Sequence, residues 1–287
     1  MGDIRGVIPI LKTPFDLEDR VDEESLRREV DYCIDAGAHG LGIAFGSEMP
    51  KLSEAERTLV ARVVIEQARG RVPVVMSTGH PATVLAVRAS QEAEALGASA
   101  VMLIPPANGL AEAELHGYFR AVAASIRIPL VVQVMTGAHL SGDELAALAR
   151  AVPQIQYAKV ESAPPAESVA EAIAKAGDRV TIIGGASGGA LIEELEIGSQ
   201  GTMPHAALVG SFARIWDLWH AGNRDAARET WQREIVPLNA IGGAVYKEML
   251  RREGVIAHSH FRAPAESRLA AEALRKLDRL CETLGIG

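Results

Sequence analysis

With 287 residues, 48% of them hydrophobic and 27 of them glycine, the chain can bury one large core, and single α/β barrels reach this length. A net charge of −8 with dispersed lysines and arginines gives no basic stripe and argues against a nucleic-acid partner. Cys33 and Cys281 lie far apart without ligand spacing, and neither residues 1–9 nor any later stretch carries the apolar run of a signal peptide or a bilayer span, so a cytoplasmic protein without membrane contact is expected.

From the N-terminus onward, short β-branched runs alternate with amphipathic windows, the signature of βα units and a parallel sheet. Strands are predicted over residues 7–11, 40–44, 72–77, 100–104, 129–133, 155–160, 180–183 and 201–203. Helices are predicted between them over 24–36, 54–68, 82–96, 111–125, 142–151, 165–176 and 188–197. Three helix-to-strand joints repeat one pattern, with Gly37, Gly97 and Gly198 each placed as a left-handed C′ residue just before a strand. Any doubly wound sheet would use such joints, but eight strands favour a (β/α)8 TIM barrel. After the eighth strand only helical windows remain, over 212–221, 224–253 and 265–284. The expected organisation is a barrel core over 1–207, then the last barrel helix and a C-terminal helical extension over 208–287. Trp216, Trp219 and Trp231 fall in that extension and are read as core or as a seam between helices rather than as a substrate platform.

Chemistry in such a barrel sits at the C-terminal ends of the strands. On strand 6, alternation puts Ile155, Tyr157 and Lys159 on one face. A lysine carried into a barrel interior must be paired or lose its proton, and a neutral amine can attack a carbonyl carbon; the alternative is a lysine that ends its strand at the solvent. His80, after strand 3, is a candidate acid/base because its ordinary pKa lies near neutrality, with the alternative that it only shapes the turn Gly79-His80-Pro81. Glu48 and Glu161 are expected to give structural support, as a capping carboxylate and a salt-bridge partner. The loop Gly184-Gly185-Ala186-Ser187-Gly188-Gly189 lets a ligand approach the backbone at Gly185, yet it lacks a Walker lysine and the spaced Rossmann glycines, so a nucleotide is not expected. No closed cluster of histidines and carboxylates is visible, and no metal is expected.

Taken together, these positions resemble the dihydrodipicolinate synthase / N-acetylneuraminate lyase family over nearly the whole length. The resemblance rests on Gly6 to Phe15, on Leu52-Ser53-Glu54-Ala55-Glu56-Arg57, on Ile104-Pro105-Pro106, on Lys159 with Glu161, and on Asn239, Lys247 and Arg262-Ala263-Pro264. It implies a class I lyase that forms a Schiff base on Lys159 with a small 2-oxo acid, needs no cofactor, and assembles as a homo-oligomer, a dimer or a tetramer. Where the family has Gly-Thr-Thr-Gly-Glu to hold the substrate carboxylate, this chain has Ala44, Phe45, Gly46, Ser47 and Glu48. The resemblance therefore assigns substrate binding to Phe45, Gly46, Ser47 and Gly185, with Ser47 supplying the hydroxyl and Phe45 narrowing the pocket. Gln133 stands at the place of the family's relay tyrosine, and an amide can orient a substrate but not act as acid or base. The loop Val134-Met135-Thr136-Gly137 has also lost the arginine expected of dihydrodipicolinate synthase.

The 2-keto-3-deoxy sugar acid dehydratases of the family, those acting on 2-keto-3-deoxyarabonate in particular, are similar in the turn ending Ser-Glu, the histidine after strand 3, the glutamine, and the stretch Arg252-Glu253-Gly254-Val255-Ile256-Ala257. Dehydration of a 2-keto-3-deoxy sugar acid is the expected reaction. Alternatives are a pyruvate-dependent aldolase, a dihydrodipicolinate synthase-like condensation, or a regulator that binds a 2-oxo acid without turnover.

Overall fold

In the computed structural model, residues 3–107, 109–264 and 269–286 are described. Eight strands, β1 (Gly6–Val7), β2 (Leu41–Ile43), β3 (Val74–Ser77), β4 (Ala100–Leu103), β5 (Leu130–Met135), β6 (Ile155–Glu161), β7 (Thr181–Gly184) and β8 (Gly201–Thr202), form one sheet in the order β1-β8-β7-β6-β5-β4-β3-β2. All its ladders are parallel. Ile10 bridges both Gly42 and His205, which joins β1 to β2 and closes the barrel.

Seven helices separate the strands: α1 (Glu23–Asp35), α2 (Glu54–Ala68), α3 (Thr83–Leu96), α4 (Glu112–Ala123), α5 (Gly142–Ala151), α6 (Pro165–Ala176) and α7 (Leu191–Ile197). Ser53 with Glu56 and Ser141 with Glu144 form capping boxes that start α2 and α5. Beyond β8 come α8 (Val209–His220), α9 (Arg224–Thr230), a wide turn over Trp231–Ile235, α10 (Val236–Ile241), α11 (Val245–Arg252) and α12 (Ala271–Leu284).

Strand alternation sorts the core into two layers. Val131 on β5, Tyr157 on β6, Ile183 on β7 and Met203 after β8 point into the barrel with Ile4, Ile8 and Ile10. Val132 and Ala158, one residue along, pack outward against the helices. The same period carries Gln133 and Lys159, paired in the β5–β6 ladder, inward above Tyr157, toward the C-terminal mouth.

Several boundaries differ from the sequence expectation. Regular strand is confined to Gly6–Val7 in β1 and Gly201–Thr202 in β8; Pro9 has no N–H to give toward β2, whereas on the β8 side Ile8 N–H still donates to Thr202 O at 2.9 Å and Ile10 N–H to Pro204 O at 2.7 Å. The window over 224–253 is broken at Gly242, whose φ of 113° and ψ of 163° leave the helical region. Of the window over 265–284, residues 265–268 lie outside the described residues, and α12 starts at Ala271. Trp219 and Trp231 are buried within the chain itself, and Trp231 Nε1 donates to Gly188 O at 3.0 Å, tying the extension to the loop after β7. No helix among the described residues is long and apolar enough to cross a membrane.

Candidate active site

Because β6 continues the inward face from Tyr157, Lys159 ends up buried and its Nζ donates to Glu161 Oε1 at 2.9 Å. Glu161 lies two residues further on the same face, and its carboxylate is fully engaged. Gln133 Nε2 also donates to Oε1, and the Ala186 N–H donates to Oε2 at 3.0 Å. Burial pushes the Glu161 carboxyl up, but the Lys159 charge and these hydrogen bonds outweigh it and hold the group below its ordinary value, so it stays ionised at neutral pH. Gln133 Oε1, by contrast, is buried with no hydrogen-bond partner. An orphaned acceptor of this kind costs about 1–3 kcal/mol unless something donates to it.

Gly185, at the end of β7, presses against the lysine stem. A Cβ there would lie 2.9 Å from Lys159 Cε and 2.6 Å from Glu161 Oε2. Gly185→Ala is therefore expected to displace both side chains and to lower turnover by about tenfold to a hundredfold. Steady-state kinetics beside a melting curve checks this; wild-type turnover in the variant would show that the lysine stem tolerates the shift.

Across the mouth, Phe45 and Gly46 line a cavity of about 270 Å³ together with Lys12, Gln133, Lys159 and His205. Phe45 is 55% exposed and stands at the rim. Lys12 Nζ donates to Gly46 O at 2.9 Å, and burial, aided by the charges of Lys247 and Lys159 and opposed by those of Glu29 and Glu48, brings its pKa down to about 8. His205 Nε2 pairs with Asn239 Oδ1 at 3.1 Å and its ring stacks on Tyr246 at 3.8 Å. Burial first, and then the Lys12 charge, lowers its pKa to about 3, so the imidazole is neutral.

Two residues expected at the pocket are placed elsewhere. The Ser47 hydroxyl donates to Leu11 O at 2.6 Å and accepts the Ala44 N–H at 3.1 Å, so it is committed to holding the turn and does not line the cavity. His80 Nδ1 accepts the Ala82 N–H at 3.0 Å just before α3, and the residue faces a separate cleft of about 300 Å³ between α2 and α3, lined also by Arg57 and Arg88. It fills the turn and does not reach Lys159. Glu48 has left-handed backbone at φ 57° and pairs with Lys247 at 2.5 Å, linking the turn after β2 to α11. Lys12, His205 and Tyr246 escaped the sequence reading, although the period of two from Ile8 and Ile10 leads to Lys12, and from Met203 to His205.

Residues 3–283 match the dihydrodipicolinate synthetase family. The chain is 32% identical over 272 residues to the L-2-keto-3-deoxyarabonate dehydratase of Azospirillum brasilense, an alignment that covers 91% of this chain and 88% of that one. It is 33% identical over 235 residues to the 4-hydroxy-tetrahydrodipicolinate synthase of Thermomicrobium roseum, covering 75% and 76%. A crystal structure of a dihydrodipicolinate synthase superposes with a TM-score of 0.89 at 26% identity, over 99% of this chain and 100% of the other.

Proposed function

The chain belongs to the dihydrodipicolinate synthetase family, and on that premise we propose that it is a lyase whose Lys159 amine forms a Schiff base with a small 2-oxo acid and whose pocket favours dehydration of a 2-keto-3-deoxy sugar acid. The Lys159 nitrogen adds to the C2 carbonyl and water leaves, giving a protonated imine. That iminium is the electron sink for loss of a proton from C3, and the enamine so formed expels the C4 hydroxide, which takes up that proton and leaves as water. Proton shifts from the C5 carbinol to C3 and C4, followed by hydrolysis of the iminium, release the 2-oxo acid semialdehyde and the free lysine. Glu161, ionised and 2.9 Å from the amine, is the base positioned for these proton movements, a larger role than structural support.

An amide, Gln133, in the pocket wall beside Lys159 and Glu161 is the observation that carries the choice of reaction. Aldol cleavage must take the proton from the C4 hydroxyl, and an amide cannot take it. Dehydration asks only that this hydroxyl be held while it leaves, which does not require a base at position 133. The similarity to the Azospirillum brasilense dehydratase supports the same reading.

A parallel assay tests it. Purified protein given a 2-keto-3-deoxy pentonate should form the 2-oxo acid semialdehyde with little free pyruvate, while condensation of pyruvate with aspartate semialdehyde and cleavage of N-acetylneuraminate should both be weak. Rapid pyruvate release without semialdehyde would turn the assignment to an aldolase.

A cytoplasmic location is proposed, and the free, buried Cys33 and Cys281 support it. A homo-oligomer is proposed as well: exposed Leu17, Phe45 and Val84 follow β1, β2 and β3 and put apolar surface along one rim for a second copy to cover.

A further inference from the structure

We propose that Lys12 is the counter-ion for the substrate carboxylate, its ammonium holding that group against the Phe45–Gly46 turn and thereby selecting 2-oxo acids over neutral carbonyl compounds. The proposal deepens the Schiff-base reading and rests on it for the identity of the bound acid. Three observations converge on this lysine.

The first is geometric. Lys12 Nζ lines the same cavity as Lys159 and Gln133, and among the described residues its hydrogen bond is the one to Gly46 O, which leaves two of its three donors for a ligand. A Cβ at Gly46 would lie 3.5 Å from this nitrogen, so the space above the turn belongs to the ammonium.

Charge balance is the second. Glu29, on α1, accepts the Lys12 backbone N–H rather than the ammonium, and burial pushes its carboxyl up to about 8. Glu48, after β2, is paired with Lys247 of α11, and Glu161 on β6 is paired with Lys159. His205, after β8, is neutral, and Tyr246 of α11 presents its ring 5.5 Å from Lys12 Nζ. Lys159 and Lys247 are each ion-paired, whereas among the described residues no carboxylate lies within ion-pairing distance of Lys12 Nζ, and Lys12 is the pocket cation without such a partner. A buried ammonium without a counter-charge is costly, and an incoming carboxylate would relieve it.

Third, the Ser47 hydroxyl is spent on Leu11 O and the Ala44 N–H, and Gly46 has no side chain, so the turn itself offers a carboxylate no hydroxyl from either residue. With a pKa near 8, Lys12 is largely protonated at neutral pH and loses its charge as pH rises through that value, so anion binding should weaken in the alkaline range.

Lys12→Met tests the proposal, with pyruvate and its neutral isostere pyruvamide as probes. Borohydride trapping is measured against probe concentration and the adduct is located by peptide mass. The expected result is a half-saturating pyruvate concentration raised about tenfold or more, the scale of losing one charge-assisted hydrogen bond, with pyruvamide unchanged and the adduct still on Lys159. An unchanged pyruvate curve, an equal loss for both probes, or an adduct on Lys12 would each overturn it.

Should Lys12→Met not fold, the wild-type protein decides. Between about pH 7 and about pH 9 its half-saturating pyruvate concentration should rise relative to that for pyruvamide, and a constant ratio counts against Lys12. If the wild type gives no adduct at all, the Schiff-base reading fails separately, and equilibrium binding of lactate, which needs no imine, still judges Lys12: binding must weaken about tenfold in Lys12→Met, and equal affinity sinks the proposal.

Discussion

Lys159→Ala is expected to abolish borohydride trapping with every 2-oxo acid and to lower turnover by at least about a thousandfold, the scale on which removal of a nucleophile is felt. No other lysine takes its place in the geometry. Lys12 shares the cavity, yet its nitrogen is held by Gly46 O on the wall formed by β1 and β2, whereas Lys159 is the amine in contact with the ionised Glu161 and, through it, with Gln133. The variant should remain folded. Glu161 keeps its hydrogen bonds from Ala186 and Gln133, and with the lysine gone burial can raise its pKa until it binds a proton rather than remain as a bare buried charge. Mass spectrometry after borohydride, with circular dichroism as the control for folding, reads the result. A reduced adduct persisting in folded Lys159→Ala would move the covalent chemistry to another amine.

Part of this site was legible in the sequence. The period of two along β6 puts Lys159 on one face with Ile155 and Tyr157 but leaves open whether the lysine enters the barrel or meets solvent, and Gln133 is found as the residue at the relay-tyrosine place on strand 5; the structure turns both inward as ladder partners. The period of two failed at β1 and β8 for a physical reason. The strands expected over 7–11 and 201–203 stop short of Lys12 and His205, which lie past the regular strands, where isolated bridges at Ile10 carry the inward face on through Ile10 to Lys12 and through Met203 to His205. Loop side chains were harder. Nothing local to Ser47 says that its hydroxyl is captured by Leu11 O, 36 positions away in sequence, and nothing local to His80 says that it turns back onto Ala82 rather than toward Lys159. The helical extension was legible as helix but not in its break at Gly242, because amphipathic spacing runs through a glycine without a mark.

The link between Glu48 and Lys247 spans 199 positions and joins the turn after β2 to the extension, which gives the second large expected effect. Lys247 is fully buried, with its ammonium 4.6 Å from the Phe15 ring centre and 4.7 Å from that of Phe261, and it donates to Glu48 Oε1 and to His260 O. Lys247→Met keeps the apolar stem but leaves the Glu48 carboxylate with only Lys51 at 3.5 Å and the Arg262 N–H at 3.3 Å. Breaking one side of a buried ion pair in this way is expected to cost about 3–5 kcal/mol. Glu48→Gln strands the ammonium instead and should cost a similar amount, while the double variant Glu48→Gln with Lys247→Met should lose much less than the sum, because neither charge is then left behind. Urea unfolding of the four proteins measures the coupling. Strict additivity would mean that the two groups do not depend on each other and that the contact does little to fix the turn. Activity should follow the same logic: Glu48 stands two residues after Gly46, so loosening this pair frees the turn carrying Phe45 and the carbonyl that holds Lys12, and KM should rise before kcat falls.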